Sequence, residues 1–293
     1  MSIIETLPID TDLPADPADA YVEAMVKRAG TSFFWAMRSL KLERRRGVFA
    51  VYGFCRDVDD IADGDLPLDQ KRALLELWRE EIKGIYDGTP SHPIGQALVE
   101  PVKIYGLKEA DFVAVIDGME MDAYPRLRIQ DMAELELYCD RVACAVGRLC
   151  VPIFGLREDE GVRLSGSLGA ALQLTNILRD VIEDAGIDRV YLPAELLAHA
   201  DVKSDQVTDV LAAPGLADLC AGLAERAEQH FENAKAIIQN AEPKAARPAH
   251  MMLQVYYRVF QKLQNRGWHD LEKDVRPSKF EKIAIALRYG IFG

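Results

Sequence analysis

Alternation of polar and apolar residues is almost absent from this 293-residue chain. That excludes a fold built on half-buried strands and leaves helices to form the core. No apolar run reaches the ~18 residues of a membrane-spanning helix. No lysine and arginine run supplies the basic face that nucleic acid needs, and the net charge is −12. The densest basic stretch, Lys41-Leu-Glu-Arg-Arg-Arg46, reads as a solvated helix face. The five cysteines include no Cys-x-x-Cys pair, and the five histidines have no zinc-type spacing. Neither a disulfide framework nor a zinc site is expected; the cysteines read as reduced core residues of a cytoplasmic protein. No strand leads into a Gly-x-Gly-x-x-Gly turn, so no dinucleotide-binding domain is expected. Residues 1–17 are acidic and proline-bearing, unlike a signal peptide, and read as a loose tail. No repeat or low-complexity linker divides the remainder, so residues 18–293 read as one domain.

What the chain has is apolar helix. Hydrophobic residues make up 49% of it, ample for a large core. The pattern predicts helices over about 18–28, 43–63, 67–86, 94–105, 108–122, 132–154, 158–184, 206–211, 216–240, 248–265 and 280–289. The fold class is therefore all-α, a helical bundle around an interior.

Two of these helices carry acids where acids are costly. Near the end of the 158–184 segment, Asp180 and Asp184 stand four apart, one turn apart on one face, with Asn176 a turn earlier. Leu172, Leu174, Ile177, Leu178, Val181 and Ile182 cover nearly the rest of the circumference. A helix apolar almost all round belongs in an interior. The 43–63 segment repeats the logic, with Asp59 and Asp63 four apart and Arg56 just before. One such pair alone is the usual mark of a solvated face. Two, each in an apolar helix and each beside an arginine, point to a site. Carboxylates so placed repel and are costly to desolvate unless a cation lies among them. Hard divalent cations take oxygen ligands of this kind. A metal held by both acid helices could bridge to a phosphate and neutralise a departing diphosphate, while apolar walls shelter the carbocation left behind.

At these residues the chain resembles the squalene/phytoene synthase family, over about residues 32–279. Tyr52-Gly-Phe-Cys-Arg-Asp-Val-Asp-Asp-Ile-Ala-Asp63 is similar to the family's first aspartate-rich motif, and Gln173-Leu-Thr-Asn-Ile-Leu-Arg-Asp-Val-Ile-Glu-Asp184 to its second. Tyr138-Cys-Asp-Arg-Val-Ala-Cys-Ala-Val-Gly147 resembles its tyrosine segment, and Arg189-Val-Tyr-Leu-Pro193 the segment after the second motif. The resemblance implies an isoprenoid-synthase-like helical fold with a central cavity. It implies that Asp59, Asp63, Asn176, Asp180 and Asp184 bind Mg²⁺, with Mn²⁺ able to substitute. Arg56, Arg179 and Arg189 would hold diphosphate oxygens. Ser32, Phe33, Gln173 and Tyr256 would line the substrate pocket, and Tyr52 and Tyr138 would face the reacting carbons. The plain alternative for the tyrosines is core packing, and for Arg179 a pairing with Glu183.

The implied reaction is head-to-head (1′-2-3) condensation of two farnesyl diphosphates to presqualene diphosphate. Asp140 and Arg141, after Tyr138 and Cys139, resemble the bacterial hopanoid-pathway branch that stops at this product, so NADPH is not expected to take part. The alternatives are phytoene or dehydrosqualene synthesis, then an NADPH-dependent squalene synthase. From other classes come a terpene cyclase using one prenyl diphosphate and a catalytically silent assembly protein with the same fold. Expected partners are farnesyl diphosphate and downstream pathway enzymes, with no nucleic acid. The expected location is cytoplasmic. The amphipathic segment 280–293 reads as a docked terminal helix, with peripheral contact at the inner face of the membrane as the other reading.

Overall fold

The structure is a computed structural model, which describes residues 6–14, 17–30, 33–200, 202, 204–273 and 275. In these residues helices account for nearly all regular structure: α1 (Ala18–Ala29), α2 (Phe34–Arg38), α3 (Leu42–Asp63), α4 (Leu68–Asp87), α5 (Pro93–Tyr105), α6 (Glu109–Asp122), α7 (Met132–Cys139), α8 (Ala145–Phe154), α9 (Glu158–Gly186), α10 (Ala194–His199), α11 (Val207–Leu211), α12 (Leu216–Asn240) and α13 (Pro243–Arg266). The all-α expectation holds. The expected segment 280–289 and residue Ser32 lie outside the described residues.

Three local features depart from the periodicity. The segment 132–154 is not one helix. Asp140–Cys144 form a π-helical turn between α7 and α8, in which the Ala145 amide reaches back five residues to the Asp140 carbonyl. Such turns are rare and gather at functional sites. An ionic cluster pins this one to α6: Arg148 donates to Asp111 (2.5 Å) and to Asp140 (2.6 Å). Second, α13 begins at Pro243 rather than near Pro248. The Glu242 carboxylate accepts from the Ala245 amide (2.6 Å), and Pro243 takes the first helical position, where its missing N–H has no consequence. Third, a parallel bridge of two residues on each side, β1 (Leu127–Arg128) with β2 (Arg189–Val190), pairs Leu127 with Arg189 and Arg128 with Val190.

α9, the longest helix, is the strut of the bundle, packing against α12, α8, the π turn and α13. Small residues let its neighbours approach. A Cβ on Gly161 would stand 2.8 Å from Val151, one on Gly147 2.9 Å from Ser165, and one on Gly169 2.8 Å from the Cys144 backbone. These pairings make α8 antiparallel to α9; Gly155, at φ 91°, closes α8 and reverses the chain between them. At that same C-terminal end of α8, Ile153 packs against Gly47, near the start of α3. α3 and α9 therefore run the same way, and both acid stretches arrive at one end of the bundle. Helix C-termini carry partial negative charge, so this end gathers two dipole ends as well as the carboxylates.

Candidate active site

A cavity of about 650 Å³ opens between α3, α8, α9 and α13, within the range of about 300–1,000 Å³ typical of small-molecule sites. Its deeper wall is apolar, with Val48, Val51, Val151, Leu164, Leu168 and Met252. Gly147, Gly169 and Ala143 leave room where larger side chains would fill it. Its polar wall carries Arg56, Asp59, Gln173, Asn176 and Arg179. Phe33, Tyr52 and Tyr256 also line it, the Phe33 and Tyr256 rings lying 6.3 Å apart. Eight of the residues predicted from sequence thus share one chamber. A larger groove of about 1,000 Å³ along α10, α11 and α12 contains none of them.

Asp63, Asp180, Asp184, Arg189 and Tyr138 stand outside the cavity lining, beyond its acid end. Each acid motif is held by arginine. Arg56 donates to Asp60 (2.9 Å) and lies 3.6 Å from Asp59. Arg179 pairs with Asp180 through two N–H groups, one at 2.8 Å. Arg189 ties the first motif to the end of α6: one N–H donates to Asp63 (2.9 Å) and another to the Asp122 carbonyl (2.7 Å).

The charges at this end are under strain. Burial, and then the neighbouring Asp63 carboxylate, push Asp59 up to about 6. Burial, and then Asp180, push Asp184 up to about 7. Asn176 Oδ1 is buried with no hydrogen-bond partner, while its amide nitrogen lies 3.4 Å from Gln173 Oε1. A buried acceptor without a donor is costly and calls for a cation or a donor from a ligand. Among the described residues, no three acidic, histidine or cysteine side chains converge into a group that would hold a metal alone. The donors present are all oxygens, the set that suits a hard divalent cation whose remaining positions are filled by water or phosphate oxygens. The residues fit such an ion bound together with a diphosphate.

This electrostatic state predicts a pH-dependent response to metal. An aspartate whose folded value is raised binds protons more tightly folded than unfolded. Its stabilising contribution is full below the ordinary value of 3.8 and is lost as pH rises through about 6 for Asp59 and about 7 for Asp184. A divalent cation needs the deprotonated forms. The rise in Tm produced by saturating Mg²⁺ with inorganic diphosphate is therefore expected to be larger at about pH 8 than at about pH 5.5. Calorimetry at the two values checks this, and equal rises would contradict it.

Sequence reasoning missed two residues here. Asp122, at the end of α6, is 7% exposed, and its carboxylate accepts from the Tyr138 hydroxyl (2.9 Å) and the Tyr191 hydroxyl (2.7 Å). Burial pushes it up to about 6 against the pull of those bonds and of Arg189. The Tyr138 and Tyr191 rings lie 4.9 Å apart. Asp122 has no acidic partner four residues away, so nothing in the local pattern marks it. Tyr191 lies within the segment 189–193 but carried no role. Tyr138 itself is buried, its hydroxyl committed to Asp122, one turn before Val142 on the cavity wall.

Two apolar helices delivering acids to one end of a cavity is an arrangement that can be compared across proteins. The squalene/phytoene synthase family model matches residues 26–281. The chain belongs to that family. It is 47% identical over 262 residues to a presqualene diphosphate synthase of Rhodopseudomonas palustris, covering 89% of this chain and 94% of the relative. It is 42% identical to the presqualene diphosphate synthase of Zymomonas mobilis, over 88% of each chain. A chloroplastic phytoene synthase of Daucus carota is more distant, at 29%. Among solved structures, a dehydrosqualene synthase in complex with ligand superposes with a TM-score of 0.80 at 26% identity, over 95% of this chain and 97% of that one. The squalene synthase HpnC from Alicyclobacillus acidocaldarius, at 23% identity and a TM-score of 0.77, shares the fold.

Proposed function

We propose that this family member is a prenyltransferase joining two molecules of farnesyl diphosphate head to head into presqualene diphosphate, with release of one diphosphate. The observation that carries the reading is that both acid motifs, intact, lie at or just beyond the polar end of one largely apolar chamber, with Asp59, Asn176 and Arg179 on its wall. Relatives at 42–47% identity over nearly the whole chain bear the matching name.

In this reading Asp59, Asp63, Asn176, Asp180 and Asp184 would hold Mg²⁺, which Mn²⁺ can replace. The bound ion supplies neutralising charge for the diphosphate that departs. Arg56, Arg179 and Arg189 exchange their aspartate partners for diphosphate oxygens, for which the planar guanidinium fork is suited. The apolar wall accepts the prenyl chains and excludes water, so the allylic cation of the donor survives until the 2,3-double bond of the acceptor attacks it. Tyr52 and Tyr256 line the chamber, where aromatic π-electron density would favour a nearby cation. Loss of a proton then closes the cyclopropane. Phe33 lines the same cavity. No helix of the described residues is long and apolar enough to cross a membrane. The product, a diphosphate on a long hydrocarbon, passes to a downstream enzyme directly or by way of the membrane surface.

No reductant enters this scheme. Purified protein with farnesyl diphosphate and Mg²⁺ is expected to yield presqualene diphosphate at the same rate with and without NADPH. The test is extraction, dephosphorylation and mass analysis of the product. Squalene appearing only with NADPH would make the protein a squalene synthase; a hydrocarbon formed without it would place the protein among dehydrosqualene or phytoene synthases.

A further inference from the structure

Asp122 lies where four elements meet. It ends α6, accepts Tyr138 from α7 and Tyr191 from beside β2, and through its carbonyl holds Arg189, which reaches α3 at Asp63. A carboxylate that is 7% exposed is costly to bury, and two hydroxyl donors offset only part of that cost. A scaffold could satisfy the same space with apolar side chains. The geometry of the bonds gives a further consequence. Tyr138 has one hydroxyl hydrogen, and it is committed to Asp122 Oδ2. Whatever Tyr138 presents to the reacting groups is then its oxygen lone pairs and not its hydrogen.

We propose that Asp122 is a positioning residue for the condensation, which fixes Tyr138 as a hydrogen-bond acceptor just beyond the acid end of the chamber, one turn before Val142 on its wall. Tyr191 plays a different part, satisfying the second carboxylate oxygen. A polarised phenol oxygen held in this orientation favours positive charge or a departing proton nearby, and disfavours neither substrate's binding in the ground state. This inference rests on the proposed condensation, since it assigns Tyr138 a part in it.

Four variants test it, with diphosphate release from farnesyl diphosphate and Mg²⁺ as the readout. Asp122→Asn is expected to lower kcat by about tenfold to a hundredfold, the usual effect of removing a partner that orients a site residue. KM for farnesyl diphosphate is expected to stay within about threefold, the pattern for an interaction felt mainly in the transition state. Because Asp122 acts through Tyr138, the double variant Asp122→Asn/Tyr138→Phe is expected to be no slower than the slower single variant. Tyr191→Phe leaves the Asp122–Tyr138 bond in place and is expected to keep kcat within about threefold of wild type. If Asp122→Asn does not fold, Asp122→Glu replaces it in the same comparison; moving both oxygens by one methylene is expected to lower kcat without raising KM. Wild-type kcat in the Asp122 variant, losses that multiply in the double variant, or a loss in Tyr191→Phe as large as in Asp122→Asn would each overturn the proposal. A wild-type protein that releases no diphosphate would instead overturn the functional reading, which separates the two failures.

Discussion

Asp180→Asn is expected to lower turnover by about a hundredfold or more, and Asp59→Asn by a similar factor, as when charge stabilisation of a leaving group is removed. The reason lies at the acid end of the chamber. Asp59 is on its wall and Asp180 just beyond, on helices whose C-termini share one end of the bundle. Asparagine keeps the shape and one oxygen but removes the charge that would hold the cation. Arg179 would also lose its paired carboxylate in Asp180→Asn, leaving a guanidinium without its charged partner. Steady-state kinetics at saturating Mg²⁺, with circular dichroism to confirm folding, checks the expectation. Near-normal turnover in both variants would remove these aspartates from the metal site.

Arg189→Met is expected to be nearly as damaging, and for a different reason. Arg189 is bonded to Asp63 on α3 and to the carbonyl at the end of α6. Its side chain is 13% exposed, so methionine fills similar space without the charge. The Asp122 carbonyl then loses a charged donor, and the carboxylates of Asp63, Asp122 and Asp184 lose their common cation. An unsatisfied buried group costs about 1–3 kcal/mol, and kcat/KM is expected to fall by about tenfold to a hundredfold as Asp63 loses its placement against α6. Tm is expected to fall as well, and Mg²⁺ with inorganic diphosphate to restore part of it by supplying positive charge at the same place. A variant with unchanged Tm and unchanged kcat/KM would show that Arg189 is ornamental.

The helices that make the site were legible because their residues obey a single period. α3 was expected at 43–63 and is Leu42–Asp63; α9 was expected at 158–184 and is Glu158–Gly186. Acids four apart in an apolar helix have one place to point. The π turn at Asp140–Cys144 was not legible, because slipping one hydrogen bond changes no residue and hardly disturbs the apolar pattern. Its trace is indirect: Gly118 and Gly169 pack on it, and each would clash with Val142 or Cys144 if it carried a Cβ. The start of α13 was misplaced because Pro248 resembles a first-turn proline, whereas the Glu242 cap and Pro243 supply the actual start. β1 and β2, at two residues each, are too short for any period; β2 carries Arg189, which bonds Asp63 of α3 and the carbonyl at the end of α6. Asp122 was missed for the most instructive reason. Its meaning comes from Tyr138, Tyr191 and Arg189, all distant in sequence.

The central claim is that one chamber joins two prenyl diphosphates. The direct measurement is to offer the protein an equal mixture of unlabelled and fully deuterated farnesyl diphosphate with Mg²⁺, and to weigh the dephosphorylated product by mass spectrometry. The account predicts a mixed-label product, more abundant than either pure form, at the mass of two joined chains. Products carrying only one label or the other, each at the mass of a single chain, would contradict it and leave a cyclase of one substrate in its place.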